Sequence, residues 1–138
     1  MSTVKAANLQ NTGSGAPTFQ NSSGTEIGQL TKVWVSFDGS GTISIGDSFN
    51  VSSITDNGAG DYTVNFTTAL ANANYALVVG CHDDSVSANN YAYMMKSNNN
   101  AYSGGSYYTT TSARNKFGYA GGSQVDDMGR CMIVIFGA

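Results

Sequence analysis

The run Lys32–Leu70, KVWVSFDGSGTISIGDSFNVSSITDNGAGDYTVNFTTAL, decides the fold. In KVWVSF, Val33, Val35 and Phe37 alternate with Trp34 and Ser36, and a period of two is the signature of a strand with one buried face. The turn DGSG follows, where Asp38 and the glycines suit a reversal. Two further strand candidates are TISI (Thr42–Ile45) and SFNVSSIT (Ser48–Thr55). The block Asp56–Asp61, DNGAGD, contains Asn57–Gly58, a strong hairpin signal. It opens onto YTVNFT, whose Tyr62, Val64 and Phe66 share a face.

Outward from this run the same grammar continues. Further strand candidates are YALVVG (75–80), YAYMMK (91–96), SYYTTT (106–111) and MGRCMIVIF (128–136). The last is apolar on both faces, which predicts a central strand. Strands this short and frequent predict an all-β fold, an antiparallel β-sandwich of jelly-roll-like kind over 32–138. TALANANY (68–75) has room for one helical turn at most. Residues 1–31 differ: Leu9, Phe19, Ile27 and Leu30 stand singly among small polar residues, too sparse to build a core alone. They predict an extended N-terminal arm or short shaft, with those four residues as attachment or oligomerisation contacts.

Composition supports a folded β chain. The 138 residues include 17 glycines, 17 serines, 14 asparagines and 13 threonines, yet 41% are hydrophobic and the net charge is only −3. Disorder needs low hydrophobicity with high net charge, which this chain lacks. A pI near 4.7 with scattered Lys32, Lys96, Arg114, Lys116 and Arg130 argues against nucleic acid as a partner. No segment reaches the ~20 apolar residues of a membrane helix, so no membrane insertion is expected. MSTVKAANLQ lacks the apolar core of a signal peptide, which predicts synthesis in a cytoplasm.

Chemistry finds little support in the residues. Cys81, His82, Asp83 and Asp84 are adjacent, but neighbours on a strand point to opposite faces, so a Cys–His pair should diverge. The aspartate pairs at 83–84 and 126–127, and Asp56 with Asp61, sit in polar turns that do not supply the burial a glycosidase acid needs. The GSG stretches lack a phosphate loop's Lys and Ser/Thr. Cys81 and Cys131 lie in apolar runs as small buried hydrophobes, with no CxxC or spaced His for a metal. The expectation is no enzyme, no cofactor and no metal.

Recognition finds more. Asp83–Gly122 is dense in Tyr, Asn and Ser, a mix that binding surfaces favour because Tyr offers a rigid amphipathic face and the small residues adaptable hydrogen bonds. The same mix also suits the plain surface of a weakly charged β domain. The candidates for receptor contact are Asn98, Asn99, Asn100, Tyr102, Tyr107, Tyr108 and Arg114.

Three elements carry a family resemblance: WVSFDGSGT (34–42), SFNVSSITDNGAGDYTVNF (48–66) and ANY (73–75), with APTFQNSSGTEIGQL (16–30) upstream. Across residues 16–80 the chain resembles the C-terminal domain of tail fibre or tail-associated structural proteins of bacteriophages, particularly aquatic ones. The resemblance implies a virion component, made in the host cytoplasm and carried on the tail. It further implies a homotrimer that joins other tail or baseplate proteins through its arm and meets a host cell-surface glycan or protein. Many such fibres have a longer shaft than the 31 residues here. The rival expectations are a baseplate, neck or capsid decoration protein, a freestanding lectin-like module and, last, a depolymerase.

Overall fold

The computed structural model describes residues 18–82, 93–95, 107–119 and 127–137. Every strand pair among them is antiparallel, and they contain no helix. The chain divides into two compact units, Met1–Leu30 and Thr31–Ala138.

In the first unit, residues 18–30 fold back as a small hairpin of β1 (Phe19–Gln20) and β2 (Glu26–Gly28). Asn21 makes the turn: its Oδ1 accepts from the Ser23 and Thr25 amides at 3.0 and 2.9 Å, and Gly24 supplies a φ of 78°. Here the expected extended segment is a hairpin, because an Asn side chain can mimic a backbone turn. Leu9 lies outside the described residues.

Among the described residues, the second unit holds two four-stranded sheets. One has the order β4-β3-β10-β7, from β3 (Thr31–Asp38), β4 (Ser44–Phe49), β7 (Ala76–His82) and β10 (Arg130–Phe136). The other has the order β5-β6-β9-β8, from β5 (Val51–Asp56), β6 (Asp61–Phe66), β8 (Tyr93–Met95) and β9 (Ser112–Tyr119). Val33, Val35, Phe37, Cys131, Ile133 and Ile135 from the first sheet share one buried cluster with Tyr62, Val64, Phe66, Ala113 and Phe117 from the second. Phe37 meets Tyr62 edge-on at 5.3 Å. As its apolar run predicts, β10 is central, between β3 and β7. The pairs β3–β4, β5–β6 and β8–β9 are consecutive strands joined side by side in one sheet. The other connections, β4 to β5, β6 to β7, β7 to β8 and β9 to β10, change sheet, so β10 pairs with β3 and β7, and β6 with β9.

Three local readings are corrected as well. SFNVSSIT is two strands, divided at Asn50, whose φ of 58° turns the chain from the first sheet into the second. Asn50 is suited to this left-handed geometry. It also latches the corner: its Nδ2 donates to the Lys32 and Thr68 carbonyls at 3.2 and 3.1 Å, and its Oδ1 accepts from the Thr68 amide at 2.7 Å. Second, over residues 107–111 the expected SYYTTT strand is a bent segment, with a single bridge from Tyr108 to Ala113. The Thr109 Oγ1 accepts from the Thr111 and Ser112 amides at 3.1 and 2.9 Å and bends the chain there. Third, ARNKFGY, which is not among the expected strands, lies in β9, paired to both β6 and β8.

Candidate binding face

The side of the first sheet that faces away from the core is built by alternation. Val33, Val35 and Phe37 point inward on β3, so Trp34, Ser36 and Asp38 point out. On β10, Cys131, Ile133 and Ile135 point inward, so Arg130, Met132, Val134 and Phe136 point out. Register aligns these residues across the sheet. Phe49 opposes Trp34, Trp34 opposes Val134, and Val134 opposes Val78. The result is an uncharged apolar row across four strands. Phe49 and Val78 are 54% and 58% exposed, with Met132 and Phe136 beside them at 38% and 40%. Met132 lies over Gly80, where an added Cβ would come within 3.2 Å of its terminal methyl.

At one end the face turns polar and concave. A cleft of about 220 Å³ is lined by Ser36, Phe37, Asp38, Ser44, Gly46, Gly129 and Arg130. A bulge opens it: Ser36 pairs with Asp47 and Phe37 with Ile45, leaving Gly46 without an opposite residue. The Asp38 Oδ1 accepts from the Ser40 amide and hydroxyl at 2.8 and 2.7 Å. Those two bonds, the hydroxyl one foremost, hold its carboxyl below the usual carboxylate range. Among the described residues, no carboxylate pairs with Arg130.

A second charged group lies on the other sheet. Arg114 Nε and Nη2 donate to the two carboxylate oxygens of Asp61 at 2.7 Å each, and Lys116 Nζ reaches Asp61 Oδ2 at 3.1 Å. Burial is the largest influence on the Asp61 carboxyl and would raise its pKa; the hydrogen bonds and charges of Arg114 and Lys116 together outweigh it and hold the pKa low. The Arg114 guanidinium also sits 5.9 Å from the centre of the Tyr107 ring. Nearby, the Tyr62 hydroxyl lies 2.8 Å from the Gly39 carbonyl and 2.7 Å from Asp127 Oδ1, so its one proton serves one acceptor at a time. Burial first, then Asp127, pushes that phenol strongly upward.

Of the residues singled out from sequence for receptor contact, Asn98, Asn99, Asn100 and Tyr102 lie outside the described residues. Tyr107 and Arg114 meet each other, and Arg114 is held by Asp61. Tyr108 is half-buried, packed edge-on against Tyr75 with ring centres 5.7 Å apart. Tyr75 itself donates its hydroxyl proton toward the Thr109 or Ser112 carbonyl, at 3.2 and 3.1 Å, and burial followed by the Tyr108 neighbour pushes its pKa up to about 12. The described members are thus tied into the scaffold. In the N-terminal unit, Phe19, Ile27 and Leu30 are exposed at 43%, 67% and 44%.

Cys81 and Cys131 are direct partners on β7 and β10, and both are free thiols. Burial raises both, Cys131 to about 12, which keeps them as packing groups. Cys81 packs against the core while His82, the next residue, is exposed. Among the described residues, no three His, Cys, Asp or Glu side chains gather to hold a metal ion.

Sequence reasoning missed the outer face. Its signal lies in Trp34, opposite the buried valines, and in the two-sided apolarity of MGRCMIVIF. That second property reads equally well as burial on both faces, which concealed the exposed row. The chain matches no family model, no curated protein and no solved structure.

Proposed function

We propose that the chain is a non-catalytic component of a bacteriophage tail, a short tail fibre or fibre tip that works by surface contact. In this reading the two sheets stack as a β-sandwich; the shared apolar cluster and the edge-on contact of Phe37 with Tyr62 support that arrangement. The observation that carries the proposal is the uncharged row Phe49–Trp34–Val134–Val78 on the outside of the first sheet. The largest apolar patch of a single folded chain is often a functional surface.

Two contacts follow in this reading. The exposed Phe19, Ile27 and Leu30, with Leu9, join neighbouring copies in a homotrimer and dock other tail or baseplate proteins. The body of the domain meets a host cell-surface glycan or protein, with the Tyr- and Asn-rich segment as one contact region. A purely structural place in a baseplate, neck or capsid is the second reading. The row favours it too, because the cores of protein interfaces are depleted in charge.

Light scattering at micromolar concentration tests the assembly. The expected mass is three times the chain's 14.4 kDa, falling toward one chain in the combined Phe19→Ser, Ile27→Ser variant. A single-chain mass for the unmodified protein contradicts the trimer.

A further inference from the structure

We propose that the cleft between β3, β4 and the start of β10 is a binding site for one neutral sugar unit, a hexose or N-acetylhexosamine. The inference rests on the surface-contact reading above and places that contact on the sheet face. Its first ground is chemistry. Ser36 and Ser44 offer hydroxyls that both donate and accept, Asp38 an ionised acceptor, and Arg130 up to five donors. Asp38 Oδ1 is already engaged by Ser40, and that engagement keeps the carboxylate ionised and in place. Among the described residues, its Oδ2 accepts no hydrogen bond, and Arg130 is in no ion pair. Both groups that fix polarity are therefore available to a ligand.

The second ground is charge. One carboxylate and one guanidinium cancel within the cleft, and the whole chain is net negative at −3. An acidic sugar meets repulsion from Asp38 that offsets its attraction to Arg130, whereas a neutral polyol uses both groups. The third is shape. About 220 Å³ falls below the roughly 300–1,000 Å³ of pockets that enclose drug-sized molecules, so it suits one ring. The Gly46 bulge sets the width, since β4 carries no side chain there.

The fourth ground is the neighbourhood. Trp34 and Met132 stand two residues along β3 and β10 from Ser36 and Arg130, on the same side, about 7 Å away. The apolar faces of the next sugar ring would rest on this row while hydroxyls of the first ring fill the cleft. Convergent polar groups beside an apolar floor are the usual build of a small-ligand site.

The test is a titration of the full chain, ¹⁵N-labelled, with glucose, galactose, mannose and N-acetylglucosamine, and in parallel with glucuronic acid and N-acetylneuraminic acid. The expected result is a saturable shift of the Gly46 and Gly129 amides and the Trp34 indole with at least one neutral sugar. Asp38→Ala and Arg130→Ala, made separately, should each weaken that binding by at least about tenfold, as loss of hydrogen bonds to a charged group implies. The spectrum of each variant reports its fold directly. No saturable shift with any neutral sugar, shifts confined to residues 107–112, binding of the acidic sugars alone, or unaltered binding in both variants overturns the inference. Location of the chain on a phage tail together with any of these leaves the tail reading standing and removes only this site.

Discussion

Asp61 shows how a single residue in this chain carries stability that depends on pH. Its carboxylate is nearly buried, with 7% of the side chain exposed, and is clamped by Arg114 and Lys116 from the neighbouring strand. Its folded pKa lies below the ordinary 3.8, while the unfolded chain holds it near about 3.9. The clamp therefore contributes fully above that unfolded value, and the contribution is lost as pH falls through the folded one. The thermal midpoint of the wild type should drop steeply between about pH 5 and pH 2. Asp61→Asn should be less stable at pH 7 by about 3 kcal/mol, as a buried pair broken on one side implies, and its midpoint should change less over the same acid range. Parallel pH curves for the two proteins would contradict this. Little of the clamp is legible from sequence. Asp61 reads as a turn residue closing DNGAGD, and Arg114 as a surface candidate, because pairing across strands 53 residues apart is set by register. Asn115 hid its strand in the same way. Fully buried between Ala113 and Phe117, it interrupts the apolar alternation that would have revealed β9.

At the scale of elements, most strands are legible because their alternation survives in the final burial. Val33, Val35 and Phe37 on β3, and Tyr62, Val64 and Phe66 on β6, are all buried as their spacing predicts. The corner at Asn50 is not legible, since nothing in FNV distinguishes a sheet-to-sheet turn from a polar position in one strand. Its left-handed backbone and its three side-chain hydrogen bonds can be separated by substitution. Asn50→Gly keeps the backbone geometry and loses the latch; Asn50→Ala loses the latch and also meets the left-handed penalty of about 1–2 kcal/mol. Denaturant unfolding should therefore rank the proteins wild type, Gly and Ala in falling stability, with the last two separated by about 1 kcal/mol or more. An alanine variant as stable as the glycine variant would contradict a role for the left-handed backbone. The bulge at Gly46 is the other irregular element. It is invisible in ISIGDSF, where the glycine reads as a break between strands, and it is what opens the cleft at the end of the apolar row.

At the scale of the whole molecule, the chain is a β scaffold whose outward surfaces are proposed to do the work. One sheet buries Cys131, Ile133 and Ile135 on one side and leaves Met132 and Phe136 well exposed on the other. A chain with 11% charged residues does little to keep such a face apart from other surfaces. That physical feature favours surface contact, and the proposed place in a phage tail rests on the resemblance carried by residues 16–80. Immunogold labelling of intact phage particles, with antibody raised against residues 32–138, tests that place. Gold is expected at the distal part of the tail, on fibre or fibre-tip density. Label restricted to the capsid or neck, or particles that carry none of the chain, would contradict it.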